Sequence, residues 1–379
     1  MVQRHFWLKL VQRALGERSV VWLAGVRRVG KTCLCQSLKQ FEYFDCELPR
    51  VRRMMTDPQS FLEGRRDGRL VLDEVHRLQN PSEILKIAAD HYPGTRIVAT
   101  GSSTLGASRK FRDMLAGRKR DVWLTPMCLP DLEDARRRDL RRRFQRGGLP
   151  PFFLPEKHAE RDFQEWMDAY WAKDIQELFR LERRDSFQRF TELVMAQSGG
   201  IFEATRFAAP CEVSRPTITN YLRVLEATFV AHVVRPYSSR RRTEIISAPK
   251  VFAFDTGFVC YYRGWQELRE EDLGALWEHF VLNEIMARLQ SREVLYWRDK
   301  RGHEVDFVLA VRRKAPVAIE CKWSANRFDA TSLAAFRRQH PQGENVVLAA
   351  DVDQGFTRHY GELRVRFESL RSFAESLSD

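Results

Sequence analysis

The sequence predicts an α/β protein of two or three domains that opens with a parallel sheet, and three observations predict it. Short apolar runs (Val20 to Ala24, Leu70 to Leu72, Ile97 to Ala99) recur with helical or polar stretches between them. That is the pattern of buried parallel strands. The first run leads directly into Gly25-Val26-Arg27-Arg28-Val29-Gly30-Lys31-Thr32, a glycine-bounded turn of the form G-x-x-x-x-G-K-T. The chain has 379 residues, 44% of them apolar, more than one ordinary domain holds and enough for real cores.

The glycine-bounded turn has the spacing of a phosphate-binding P-loop. Gly25 and Gly30 let successive backbone N–H groups point into one concavity. Lys31 sets a point charge against β and γ phosphates, and Thr32 offers a hydroxyl to Mg²⁺. Residues 33–40 read as a helix whose positive end faces the phosphates. The nucleotide-binding candidates are therefore Gly25, Val26, Arg27, Arg28, Val29, Gly30, Lys31, Thr32 and Cys33, with ATP and Mg²⁺ as cofactors. The bland alternative is a surface turn with a chance Lys-Thr, which a complete motif directly after an apolar run argues against.

Residues 42–45 read as a short strand and 56–67 as a helix and turn. Leu70-Val71-Leu72-Asp73-Glu74 then brings two carboxylates to the end of a buried strand, the Walker B pattern. Such acids emerge at the carboxyl edge of the sheet, beside the phosphates. Asp73 would hold Mg²⁺ through water, and Glu74 would orient and activate the attacking water. Ile97-Val98-Ala99 ends in Thr100-Gly101-Ser102-Ser103. Thr100 or Ser102 could sense the γ-phosphate, or the segment is an ordinary strand-to-loop turn. Arg118, in Gly117-Arg118-Lys119-Arg120, could reach a phosphate of its own or a neighbouring subunit, or lie in a solvated basic loop. Residues 122–124 close the sheet.

On these residues the chain resembles the prokaryotic AAA-type P-loop ATPases that carry a C-terminal DUF4143 domain. The likeness rests on Gly25 to Thr32, Leu70 to Val75, Thr100 to Ser103, Ala116-Gly117-Arg118, Leu124-Thr125-Pro126 and Gly147-Gly148-Leu149-Pro150. It extends over nearly the whole chain and implies an AAA+-like fold. Val26 stands where that family often has Pro, and Cys33 where Thr or Ser is common. Neither departure removes a phosphate or metal contact.

Residues 131–145 read as one very basic helix, solvated or facing phosphate, which Gly147-Gly148-Leu149-Pro150-Pro151 ends. Residues 163–179 form an aromatic-rich helix whose spacing suits a core. Residues 186–254 read as a winged helix-turn-helix. Its helices span 187–197, 201–208 and 215–227, the last capped by Ser214. That helix presents Arg215, Thr217, Thr219, Asn220 and Arg223 on its outer face, suited to phosphates and base edges. Strands at 229–234 and 250–254 would flank a basic wing at Ser238 to Arg242. DNA contact and simple packing between domains both remain open.

In the last third, a helix over 277–285 precedes strands at 294–298, 304–309 and 317–322. The arrangement resembles the PD-(D/E)xK, or restriction-endonuclease-like, core. Asp306 and Glu320 can supply oxygen ligands to a second Mg²⁺ or to Mn²⁺, with Glu278 completing the set and Glu284 a weaker candidate. Lys322 shares a strand face with Glu320 and could position water or stabilise developing negative charge. His279 stands where Asn is often found. A relic fold that binds without cutting is the alternative.

The formal charge of +12 points to a polyanionic partner, nucleic acid before membrane. Seven scattered Cys without zinc spacing imply reduced thiols in a cytoplasmic protein. No run reaches the length of a membrane span. The domains expected are 1–150 (P-loop ATPase), 151–255 (helical connector and winged helix) and 256–379 (nuclease-like). The function expected is Mg²⁺-dependent ATP hydrolysis coupled to DNA binding. The alternatives are an ATP-regulated nuclease and a nucleotide-controlled switch on a protein partner, in a chain that could self-associate.

Overall fold

A computed structural model describes residues 2–101, 105, 108–156, 160–176, 183–238, 248–310 and 315–377. The chain divides into two compact units. The first comprises Met1–Arg138, Leu149–Arg184 and Ala227–Val230, the second Asp139–Gly148, Asp185–Glu226 and Ala231–Asp379. This division differs from boundaries at 150 and 255, because residues 139–148, 185–226 and 231–255 belong with the C-terminal elements.

The first unit holds a five-stranded sheet: β1 (Val20–Ala24), β2 (Glu42–Asp45), β3 (Arg69–Asp73), β4 (Arg96–Thr100) and β5 (Lys119–Trp123). Every pairing is parallel and the order is β2-β3-β4-β1-β5. All of β1 is buried, as an uninterrupted apolar run requires at a central position. Trp22 packs against Phe111 with ring centroids 4.7 Å apart, inside a core that includes Val20, Phe44, Leu72, Ile84 and Ile97. Each such side chain contributes about 1.5–3 kcal/mol through burial. The helix after the P-loop, Lys31–Gln36, is shorter than expected. The N–H groups of Ser37 and Leu38 bond three residues back, to Leu34 and Cys35, which tightens and ends the last turn.

The single basic helix expected over 131–145 is two helices, Leu129–Asp134 and Leu140–Arg146. Arg136 breaks the run with φ 54, and Asp139 caps the second helix by accepting the Arg142 N–H at 3.2 Å. The aromatic helix Arg161–Tyr170 buries Phe163, Trp166 and Tyr170 and then widens into a π-helical turn, Trp171–Ile175.

The second unit is built on one nine-stranded sheet. Its strands are β6 (Gly200–Ile201), β7 (Ala231–Pro236), β8 (Lys250–Ala253), β9 (Val294–Arg298), β10 (Glu304–Leu309), β11 (Val317–Lys322), β12 (Asn345–Ala349), β13 (Phe356–Tyr360) and β14 (Leu363–Glu368). The order is β13-β14-β12-β11-β10-β9-β7-β8-β6. Helices Arg184–Ala196, Ala204–Ala208 and Arg215–Ala227 precede the antiparallel pair β7 and β8. β7 also pairs in parallel with β9, Arg235 opposite Leu295, so these strands continue the C-terminal sheet and do not stand apart from it. The expected basic wing, Arg240, Arg241 and Arg242, lies outside the described residues. Among the described residues no helix is long and apolar enough to cross a membrane.

Arg143, expected to face solvent or phosphate, is buried. Its guanidinium donates to Thr256 Oγ1 at 3.0 Å, lies 3.9 Å from Asp255 and sits over the Phe280 ring. Asp255 in turn accepts the Gly148 N–H at 2.6 Å. A Cβ on Gly257 would come within 2.6 Å of the Arg146–Gly147 backbone, so glycine permits the approach of helix Thr256–Arg263.

Candidate functional site

Sequence and topology together build the site at the carboxyl edge of the five-stranded sheet. Gly25 leaves β1 with φ 142, and a Cβ there would lie 2.5 Å from the Leu124 carbonyl oxygen. Gly30 enters helix Lys31–Gln36 with φ 103. Both positions therefore require glycine. Val26 and Val29 are buried anchors, Arg28 is exposed, Thr32 is half-buried and Cys33 is exposed. Lys31 Nζ donates to the carbonyls of Gly25 (2.9 Å) and Val26 (3.2 Å), within its own loop. Burial pushes its ammonium below the usual range, against the pull of Glu74, Asp174 and Asp73.

Two braces fix this loop, and sequence reasoning found neither. Arg4 is buried and donates to the Val29 carbonyl at 2.9 Å and to both oxygens of Asp131, at 2.8 and 2.6 Å. Trp166 Nε1 donates to the Arg27 carbonyl at 3.1 Å, while Arg27 Nε donates to Asp174 at 3.1 Å. The aromatic spacing marked Trp166 as core, but nothing local marks its indole as a brace.

β4 lies between β1 and β3, so its last residue, Thr100, sits between the P-loop strand and the strand carrying Asp73. Thr100 is fully buried. Its hydroxyl donates to Asp73 Oδ1 and accepts the Glu74 N–H at 3.0 Å. Tyr43, from β2, donates to Asp73 Oδ2 at 2.6 Å. Burial and the Asp73 carboxylate raise the Tyr43 phenol, which keeps it a donor. Thr100 thus holds the two acids in place, a job different from touching phosphate. Ser102, the other sensor candidate, lies outside the described residues. Glu74 is a non-glycine residue at φ 55, a costly conformation that aims its carboxylate away from the strand. Burial works to raise the Glu74 carboxyl, but a hydrogen bond with His76 (3.1 Å) and the Lys31 charge outweigh it and hold the group below its usual range.

Arg118 is placed elsewhere. β5 runs parallel to β1 with Lys119 opposite Val20, so Arg118 sits at the amino edge of the sheet, roughly 15 Å of strand away from the P-loop. It pairs there with Asp90 at 2.7 Å. Reach to a phosphate of its own chain is thereby corrected, which leaves a neighbouring copy or a solvated loop.

In the second unit Glu278, Asp306, Glu320 and Lys322 come together, joined by two residues the sequence did not single out. Lys250 Nζ meets Glu278 at 2.8 Å and Glu304 at 2.7 Å, and Lys322 Nζ meets Glu320 at 2.6 Å and Asp306 at 3.7 Å. Asp306 also accepts the Cys321 N–H at 2.8 Å. Burial, then the Asp306 charge, raises the carboxyls of Glu278 and Glu320. Burial opposes the Lys250 charge, but Glu278, Asp306 and Glu304 outweigh it and raise its ammonium. Glu320 Oε1 is buried without a hydrogen-bond partner. Among the described residues no group of three or more His, Cys, Asp or Glu is arranged to hold a metal ion, and the ammonium groups of Lys250 and Lys322 face the expected ligands Glu278, Asp306 and Glu320. Glu284 pairs with Arg288 at 3.1 Å, and burial lowers the His279 imidazole to about 3, so it is neutral.

This geometry defines a protein built on a nucleotide-type P-loop domain, and comparison with known proteins agrees. Residues 17–132 match the AAA domain, residues 137–269 a domain of unknown function (DUF8612), and residues 273–365 a second (DUF4143). The chain thus carries an AAA-type domain followed by a C-terminal DUF4143 domain. Two curated relatives, the uncharacterized proteins Rv2008c of Mycobacterium tuberculosis and Mb2031c of Mycobacterium bovis, are each 26% identical over 334 residues. The match covers 85% of this chain and 74% of theirs. Among solved structures, the Walker-type ATPase PABY2304 of Pyrococcus abyssi aligns at TM-score 0.46 and 14% identity, covering 69% of this chain and 96% of that one. The STAND protein PH0952 of Pyrococcus horikoshii, which has a tetratricopeptide repeat sensor, aligns at 0.27 and 11%, covering 76% and 47%.

Proposed function

We propose that the protein hydrolyses ATP with Mg²⁺ and couples hydrolysis to DNA binding. One observation carries the first part: Asp73 and Glu74 stand at the carboxyl edge beside the Gly25–Thr32 cradle, held by Thr100 and Tyr43. The residues fit the cofactors: the glycine-bounded loop turns at Gly25 with φ 142 and Gly30 with φ 103, and the side chains that engage Asp73 among the described residues are the neutral hydroxyls of Tyr43 and Thr100. Lys31 and the loop N–H groups would bind the phosphates, Thr32 and Asp73 would hold Mg²⁺, and Glu74 would take the proton of the attacking water. Mg²⁺, when bound, supplies charge neutralisation at the phosphates. Glu74→Gln should bind ATP and hydrolyse it very slowly, whereas Lys31→Ala should lose binding. Wild-type turnover by Glu74→Gln would reject the assignment.

DNA binding is supported by the net charge and by exposed Arg215, Asn220 and Arg223 on helix Arg215–Ala227, as a winged helix would present them. A second reading, a metal-dependent nuclease with a restriction-endonuclease-like core, is favoured by the unpartnered Glu320 Oε1 beside Asp306. A divalent ion there would compete with Lys322 for Glu320 and Asp306, and would have to displace Lys250 to gain Glu278.

A further inference from the structure

The first unit carries an acid that the ATPase reading does not use. Asp174 is buried on the π-helical turn Trp171–Ile175 and holds Arg27, a residue of the P-loop itself. Three features make this contact more than a surface ion pair.

The first is the spacing. Trp166, Tyr170 and Asp174 follow one another at four-residue spacing, so at about 100° per residue they share one face, and Trp166 and Asp174 both reach Arg27 from it. The second is the grip on the loop. Helix Arg161–Tyr170 holds the Arg27 backbone through Trp166, and the turn that continues it holds the Arg27 side chain through Asp174. Trp166 stacks on Tyr170 (5.3 Å), whose hydroxyl meets Thr228 at 2.6 Å, so the backbone end of this grip is fixed in the core. The third is the company. Asp174 interacts electrostatically with Lys31 and Glu74 as well as Arg27, which places it among the groups that would surround a phosphate.

We propose that Asp174 and Arg27 form a triphosphate-responsive latch: Asp174 positions the Arg27 guanidinium beside the cradle and yields it to the terminal phosphate of a bound nucleoside triphosphate. The proposal rests on the P-loop reading above and adds a positioning residue outside it. The Arg27 guanidinium is about a quarter exposed, while Asp174 is nearly enclosed, so the arginine is the partner free to swing. A γ-phosphate offers it a bidentate, more highly charged acceptor. Burial raises the Asp174 carboxyl, against Arg27 and Lys31, so on release it can take a proton instead of remaining a stranded anion. A diphosphate lacks the group that competes for Arg27, so it leaves the latch closed. The nucleotide state is thereby read out at the π-turn.

The test is binding of ATP and of ADP to the full chain by calorimetry, with Mg²⁺, on five variants. Asp174→Asn removes the competitor and should tighten ATP about fivefold, the size of a partly exposed ion pair, with ADP unchanged. Asp174→Glu keeps the charge and should behave as wild type. Arg27→Ala should weaken ATP, leave ADP unchanged and erase any effect of a second Asp174→Asn change, because the two act as one unit. Equal changes for ATP and ADP in Asp174→Asn, or the same change with and without Arg27, would mean a purely structural pair and overturn the latch. Lys31→Ala separates the two readings. If it binds ATP as the wild type does, the P-loop reading fails and takes the latch with it. If binding needs Lys31 and Asp174→Asn leaves the ATP-to-ADP ratio unchanged, the latch alone fails.

Discussion

Thr100→Val is the most informative single change in the first unit. Valine replaces the hydroxyl by a methyl of similar volume, so packing on β4 is preserved while two hydrogen bonds are lost. One of them runs to the Asp73 carboxylate, and hydrogen bonds to charged groups contribute about 1.5–3 kcal/mol. The other satisfies the Glu74 N–H, and leaving such a donor unmet costs about 1–3 kcal/mol. Together they predict a stability loss of roughly 2.5–6 kcal/mol, read as a lower denaturant midpoint. The kinetic prediction is sharper. If Thr100 orients Asp73 and Glu74, losing about 1.5–3 kcal/mol of that orientation lowers kcat roughly 10- to 100-fold. KM for ATP should barely change, because the hydroxyl is committed to the acids. Thr100→Ser keeps the hydroxyl and should restore most of kcat. A Thr100→Val enzyme with wild-type kcat would refute the positioning role, and a raised KM with kcat intact would return Thr100 to phosphate sensing.

Other outcomes follow from the buried charges. Asp131→Asn strands the Arg4 guanidinium and should cost about 3–5 kcal/mol, lowering the first unit's melting temperature by roughly 10 °C by circular dichroism. Burial works to raise the Asp131 carboxyl, but Arg4 outweighs it and depresses it, so its contribution is complete above the ordinary pKa of about 4 and lost as pH falls below it. A wild-type acid-stability curve that Asp131→Asn reproduces unchanged would contradict this. In the second unit, Lys250→Met should make millimolar Mn²⁺ raise the melting temperature more than it does with Lys250 present, and Asp306→Ala should erase the gain. The comparison needs a Lys31→Ala, Asp73→Ala background without nucleotide, and equal shifts in all variants would exclude competition between Lys250 and metal.

The parts of the site that were legible in the sequence are those in which chemistry and chain neighbourhood coincide. Gly25, Gly30, Lys31 and Thr32 lie within eight residues, and the glycines are needed because the backbone there has positive φ. Asp73 and Glu74 follow an apolar strand directly. Strand order was not legible: β1, β3 and β4 are all short apolar runs, and any of them suits a central position. Only the observed order puts Thr100 next to the acids, brings Tyr43 across from β2 and carries Arg118 to the far edge. The basic run before Gly147 hid a different fact. Its arginines are alike in sequence, and Arg143 turns inward only because Asp255 and Thr256, more than a hundred residues later, meet it. A buried ion pair between distant elements leaves no local period to read.

The same limit separates the two acid clusters. Both follow apolar strand runs and looked alike as candidate metal sites, but their partners differ in kind. Asp73 is held by the hydroxyls of Tyr43 and Thr100, which satisfy its lone pairs without cancelling its charge. A carboxylate oriented by neutral donors keeps further lone pairs to offer a cation. Glu278, Glu304, Asp306 and Glu320 face the ammonium groups of Lys250 and Lys322, which cancel part of the charge a divalent ion would otherwise meet. Lys322 is visible in sequence because it lies two residues from Glu320. Lys250 comes from β8, the strand read as part of a winged helix, and enters this cluster because β7 and β8 continue the C-terminal sheet. The counter-charge at the second cluster was therefore assigned to another domain, and the acids were read without the ammonium that a metal would have to displace.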